Sequence, residues 1–272
     1  MSTLRKPLHL LPGLALAGAF LFSPASVVAQ EETSAPGDLS GLQGEVSLGL
    51  DFYTDYIWRG TKINDEPVFQ PSFGLSAGNS TLGTFSASVW GNMDLGDEGT
   101  DNEGEFTEVD YTFAYSRSFD ALGVELGVIN YQFPNTDLET TSEVYLGLSY
   151  ETEVGITPGF TAYYDFDEAE GFYLNASLDY SIEIAENLSL DLGVSAGFMD
   201  GNQAEFYYAG SDAGFSDINA SVGGTYTIND FASVSAAILG TTIPDSDMRD
   251  TVDDPDNLYA MVGLSFTLGG IE

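Results

Sequence analysis

Residues 171–181 read GFYLNASLDYS. Phe172, Leu174, Ala176, Leu178 and Tyr180 fall on one parity; Tyr173, Asn175, Ser177 and Asp179 fall on the other. A repeat of two residues is the period of a β-strand, so these sets face opposite sides of a sheet, one apolar and one polar. The pattern recurs along the chain. Val46, Leu48, Leu50 and Phe52 stand against Glu45, Ser47, Gly49 and Asp51; Val109, Tyr111, Phe113 and Tyr115 against Glu108, Asp110, Thr112 and Ala114. Val144, Leu146, Leu148 and Tyr150 oppose Glu143, Tyr145, Gly147 and Ser149, and the last segment, 257–268, repeats the scheme. Twelve such segments begin near residues 44, 68, 83, 107, 121, 142, 156, 171, 187, 215, 230 and 257. Helical periodicity is almost absent.

The connections alternate as well. Those after odd-numbered segments are mostly long and acidic (59–67, 95–106, 132–141, 199–214, 242–256), while 166–170 is shorter. Those after even-numbered segments are tight and rich in turn formers, such as Ala77-Gly78-Asn79-Ser80, Ser118-Phe119-Asp120 and Ile228-Asn229-Asp230. An even strand count with long loops at one end and short turns at the other marks a transmembrane β-barrel. In hydrocarbon every backbone N–H and C=O needs a partner within the protein, and a closed sheet supplies it. The expected fold is therefore all-β: a transmembrane, antiparallel, up-and-down barrel of about 12 strands over residues 44–272. The chain ends straight after its last segment, where strand one would meet strand twelve. Aromatic residues gather near the segment ends, with Tyr56, Trp58, Tyr131, Phe133, Phe166 and Phe198 at the long-loop end. Tyr115, Phe119, Tyr150, Phe160, Tyr180, Tyr226 and Phe231 gather at the short-turn end. Two such bands are expected as interfacial girdles. The competing fold is a soluble secreted β-sandwich, which also alternates but does not explain the loop rhythm.

The 272 residues carry 43 acidic and 6 basic side chains, a formal charge of −37, with no Cys and one His. Arg5, Lys6 and His9 lie in a leader-like start: a basic tip, an apolar run from Leu8 to Phe22, and Val27-Val28-Ala29 before Gln30. Residues 1–29 are expected to be a cleaved signal peptide and 30–43 a flexible periplasmic lead-in. The basic residues beyond the leader are Arg59, Lys62, Arg117 and Arg249. Nucleic acid is excluded as a partner, because binding it requires a basic footprint. With neither Cys nor His beyond the leader, there is no thiol nucleophile, no histidine base and no Cys/His metal site. No catalytic residue, no metal ligand set and no cofactor is expected, and the chain does not read as an enzyme.

The run Asp55-Tyr56-Ile57-Trp58-Arg59-Gly60, followed by Asn64-Asp65-Glu66-Pro67 and Gln70, resembles the opening motif of the TorF porin family. Val89-Trp90-Gly91-Asn92-Met93-Asp94 and the segment 142–150 are similar too, and the likeness covers most of 44–268. The chain departs from the family at Pro71, where Gly is common. The resemblance implies an outer-membrane protein with a pore, and singles out Tyr56, Trp58, Arg59, Gly60, Pro67 and Gln70 as motif residues at the rim.

If the apolar face meets lipid, the polar face lines a lumen. Strand parity then puts Glu45, Asp51, Asp55, Glu108, Asp110, Glu125, Glu143, Asp165, Asp179, Asp191 and Asp217 inside. If the first strand runs unbroken, Arg59 joins them near the mouth and pairs with Asp55 or Asp51. A tube lined with one sign of charge concentrates counter-ions. The expected function is passive, weakly cation-preferring passage of small solutes across the outer membrane of a Gram-negative bacterium. Inward Trp90, Tyr163 and Tyr173 would partly fill the tube, so the rival function is a non-conducting structural or surface-interaction barrel. The acidic loops 94–105 and 245–256 hold oxygen ligands for divalent cations, though without EF-hand spacing. Expected partners are outer-membrane lipid and lipopolysaccharide, with periplasmic chaperones and the barrel-assembly machinery during export.

Overall fold

The computed structural model describes residues 41–96 and 103–271. The expected signal peptide, residues 30–40 of the lead-in and residues 97–102 of the first acidic loop lie outside the described residues. Twelve long strands form one closed antiparallel barrel. They are β1 (Gln43–Tyr53), β4 (Val68–Asn79), β5 (Gly83–Asp94), β6 (Phe106–Phe119), β7 (Leu122–Gln132) and β8 (Thr141–Tyr150), followed by β9 (Ile156–Asp165), β10 (Phe172–Ala185), β11 (Leu188–Met199), β12 (Gly214–Asn229), β13 (Ala232–Thr242) and β14 (Asp256–Ile271). Each pairs with its neighbour in sequence, and β1 closes onto β14 from Glu45↔Gly269 to Tyr53↔Met261. The barrel leaves no edge open, so the sandwich is overturned: among the described residues there are no two sheets stacked as a sandwich.

Alternation decides which face goes where. Leu48, Phe73, Leu75, Phe85, Phe113, Leu126, Leu146, Leu178, Val222 and Val262 are exposed on the outer wall. At about 25 cal/mol per Å² of apolar surface, so continuous a belt is costly in water. The inner face carries Ser, Thr, Gly, Tyr and acids, most of them buried or half-buried. The prolines sit where the ladder tolerates a missing N–H. Pro158 lies beyond Ser149↔Gly159, the last β8–β9 pair, so no β8 partner awaits a donor there. Pro71 falls in a gap of the β4–β5 ladder between Phe69↔Met93 and Ser72↔Trp90. Across that gap the Gln70 side-chain amide donates to Asn92 Oδ1 at 2.9 Å.

The long-loop end differs from expectation. The first strand does not run through to Arg59; it stops at Tyr53. The chain bends at Thr54-Asp55 and forms a separate hairpin, β2 (Tyr56–Trp58) and β3 (Thr61–Asn64). Tyr56 and Tyr131, expected in the outer girdle, are each only 4% exposed and point inward. Tyr56 lies past the break in the first strand, where its parity no longer applies; Tyr131 lies in unbroken β7 on the parity of Glu125, so alternation itself turns it inward. At the short-turn end Phe119, Tyr150, Phe160, Tyr226 and Phe231 do face outward. Two short helices, α1 (Gly201–Tyr207) and α2 (Ser246–Arg249), lie in long connections where no helix was expected.

Candidate functional site: a hairpin latched across the lumen

The hairpin turns on Arg59-Gly60, with Trp58↔Thr61 pairing on either side. Both turn residues have positive φ, 45° and 92°. That is the pattern of a two-residue primed turn, whose twist matches a tight antiparallel pair. At Gly60 glycine is needed twice over. Besides its φ, a Cβ there would lie 2.8 Å from the Ser216 carbonyl and 2.9 Å from the Tyr208 hydroxyl. Arg59 adopts the left-handed region without being glycine, a local cost of about 1–2 kcal/mol. Its contacts explain why it is held there.

The Arg59 guanidinium forks onto Glu143 of β8, at 2.7 and 2.6 Å. Tyr131 of β7 donates its hydroxyl to the same carboxylate at 2.9 Å. The guanidinium carbon lies 4.3 Å from the ring centre of Tyr173, 4.9 Å from Trp58 and 5.1 Å from Tyr163. Bidentate geometry and aromatic faces are what a delocalised planar cation prefers. The pair is nearly dry, with side-chain exposures of 3% and 1%. Such a pair contributes little net stability, because both ions lose their hydration, but removing one partner costs about 3–5 kcal/mol. Its role is to fix where the hairpin tip sits. Arg59 Nε has no hydrogen-bond partner among the described residues.

The rest of the hairpin braces against the wall on all sides. Tyr56 donates to Glu108 of β6 at 2.7 Å, and its ring lies 6.0 Å from Trp90 of β5. Ile57 packs among Ala237 and Leu239 of β13 and Tyr259 and Met261 of β14. At the tip Tyr208, the residue after α1, donates to the Arg59 carbonyl at 2.8 Å. Burial pushes the Tyr207 hydroxyl up to about 12, so it stays neutral at any ordinary pH. Helix α1 is itself seated by Asp200, which caps it through Gln203 N at 3.0 Å, and by an apolar cluster that includes Met199, Ala204, Tyr208, Ile243 and Met248.

The residues singled out in the sequence divide into groups. Glu108, Glu143, Asp165, Asp191 and Asp217 are buried. Asp217 is satisfied by Tyr173, Ser216 and Asn219, Asp191 by Ser181, Ser189 and Thr225. Asp165 accepts from Thr141 and from the backbone of its own loop, a structural role. Glu45, Asp51, Glu125 and Asp179 are half-buried on the inner wall, Glu125 accepting from Tyr145 at 2.8 Å. Gly127 makes room for that tyrosine, whose ring would lie 2.6 Å from a Cβ. Asp110 is half-buried, and one of its carboxylate oxygens has no partner. Asp55 sits in the bend and accepts from Thr54 at 2.6 Å. The expected Arg59 pairing with Asp55 or Asp51 is therefore corrected to Glu143, because the hairpin carries Arg59 away from β1. The Pro67 carbonyl accepts from Leu95 N at 2.9 Å, a loop contact outside the lumen network. Lys62 and Arg249 pair at the long-loop end with Asp254 and Asp256, and Arg117 is exposed near the short turns over Phe119. Sequence reasoning missed Tyr208 and α1, although Asp200 ahead of Gln203-Ala204-Glu205 is a legible helix start. No group of acids among the described residues is arranged to hold a metal ion.

A family model described as a bacterial protein of unknown function (Gcw_chp) matches residues 40–266. The chain belongs to the Gcw_chp family. No curated protein matches this Gcw_chp chain. Solved structures of like fold include the NanC porin, at 14% identity over 82% of this chain and 100% of that one, TM-score 0.51. An outer membrane channel from Pseudomonas putida F1 is 13% identical over 86% of this chain and 100% of that one, TM-score 0.49. A KdgM porin in complex with disordered oligogalacturonate is 10% identical over 82% of this chain and 98% of that one, TM-score 0.48. At 14% identity the likeness to the NanC porin speaks to the fold alone, a closed antiparallel barrel.

Proposed function

We propose that this Gcw_chp protein is an outer-membrane, porin-like barrel that passes small solutes passively, with a weak preference for cations, through a lumen narrowed by the β2–β3 hairpin. The observation that carries this reading is the charge inside the closed wall. Among the described residues Arg59 is the basic side chain within the barrel, and Glu143 neutralises it. Glu45, Asp51, Glu108, Asp110, Glu125 and Asp179 are then left on the inner face with no basic partner. A low-dielectric tube of one sign favours the opposite ion. The apolar outer belt supports a lipid setting, and four of the TorF-like motif residues, Tyr56, Trp58, Arg59 and Gly60, form the hairpin. Export by a cleaved leader over 1–29, assembly by the barrel-insertion machinery and contact with lipopolysaccharide belong to the same proposal. The test is a planar bilayer with refolded protein under a KCl gradient. Unitary conductance with a cation-signed reversal potential is the expected result; an anion-signed potential overturns the charge reading.

A second reading has its own observation. The hairpin touches most of the wall, and its latch is nearly inaccessible to water, which favours a plugged, structural barrel. Replacing residues 55–65 by a Gly-Ser linker separates the two. If neither protein conducts, the barrel is structural; if the replaced form conducts more than the intact one, the hairpin is the constriction.

A further inference from the structure

The Arg59 cage is built almost wholly by the barrel wall. Glu143 supplies the carboxylate, Tyr131 orients it, and Tyr163 and Tyr173 supply two ring faces, from four successive strands, β7 to β10. The hairpin contributes only the cation itself and Trp58. We infer that this wall site is a receptor for a guanidinium group carried by a solute in the lumen, and that Arg59 is an intrinsic occupant which such a solute displaces. The inference deepens the solute-passage reading by naming a ligand class, and it rests on that reading only for where the solute comes from.

The chemistry on the page selects the ligand. Two parallel hydrogen bonds to one carboxylate require a planar fork, which an ammonium lacks. The stacked tyrosines favour a flat, weakly hydrated cation. The occupant is also replaceable. Arg59 holds a left-handed backbone angle that glycine would adopt freely, and its Nε finds no acceptor. A free guanidinium entering the same cage is not tied to that backbone angle. It competes only against the high local concentration of the tethered side chain.

The test uses the full barrel in detergent, with methylguanidinium as the probe and titration calorimetry as the readout, so it does not depend on conductance. Arg59→Gly empties the cage while suiting the turn, since Gly-Gly is a favoured primed-turn pair. Arg59→Gln is the second variant should the first fail to fold, and heat-modifiable gel mobility reports folding. The R59G protein is expected to bind methylguanidinium about tenfold or more tightly than the unaltered protein, and R59G/E143Q to lose about tenfold or more of that affinity. Absence of binding to a folded R59 variant, or equal binding with and without the Glu143 carboxylate, overturns the inference. A silent bilayer together with binding would reject the pore and keep the site; conductance without binding would do the reverse.

Discussion

At the residue scale, the molecule turns on a few side chains whose partners are far away in sequence. Arg59 and Glu143 are separated by 84 positions and meet at 2.6 Å. Glu143→Gln keeps the shape but leaves Arg59 charged, dry and without a counter-ion. Its cost is expected at about 3–5 kcal/mol, drawn from hairpin docking rather than from the barrel. Hydrogen exchange in micelles checks this: amides of β2 and β3 lose protection while the wall strands keep theirs. Gly60→Ala acts from the other side, because its Cβ collides with the Ser216 carbonyl and its φ of 92° disfavours any side chain. It is expected to free the hairpin tip and raise bilayer conductance above that of the unaltered protein; unchanged conductance would show that the tip does not limit passage. These pairings were not legible in the sequence. Alternation marked Glu143 as inward, but nothing local indicates which of the inward acids receives the single inward arginine.

At the element scale, the wall strands follow from their own residues, and the inserted pieces do not. The twelve long strands begin within two residues of the segment starts read from alternation. The hairpin and the two helices were invisible to the same reading, because three- to seven-residue elements are too short for a period to show. Helix α1 is held by its cap and by packing under the hairpin. Asp200→Ala is expected to cost about 1 kcal/mol locally. Faster exchange at Gln203 N, with no change in heat-modifiable mobility of the barrel, would be the outcome; a shift in whole-barrel stability would contradict it. Strand β9 gives a contrast. Ala162 pairs with Leu146 on one side and Leu174 on the other, whereas Pro158 is beyond the reach of β8. Ala162→Pro is expected to destabilise by about 3 kcal/mol or more and to abolish the heat-modifiable form.

At the scale of the whole molecule, the outer wall and the inner wall obey different physics. The outer belt of Leu, Phe, Val and Tyr needs a solvent without hydrogen bonds, and the protein is expected to stay dispersed only in detergent or lipid. Recovery as a monodisperse particle in plain buffer would count against a membrane setting. In the proposed pore the inner wall acts through its summed charge. The Debye length shrinks from about 10 Å at 0.1 M salt to about 3 Å at 1 M, so fixed lumen charge is felt less as salt rises. Cation preference measured from reversal potentials is expected to fall across that range. A preference that did not change with ionic strength would point to a tight filter at the hairpin instead of the field of the wall.

The sequence alone determined the strand number, the loop rhythm and the alternation of an apolar with a polar face along the wall strands, because all three are written in a local period of two interrupted by turn chemistry. It also determined the imbalance of charge, which no folding can alter. Only the tertiary structure decided that residues 56–64 leave the wall and cross the lumen, that Arg59 joins Glu143, and that Tyr56 and Tyr131 lie inside instead of at the membrane interface. The physical reason is closure. Which groups meet across a barrel depends on strand order, register and the width of the sealed cylinder. Those are properties of all twelve strands together.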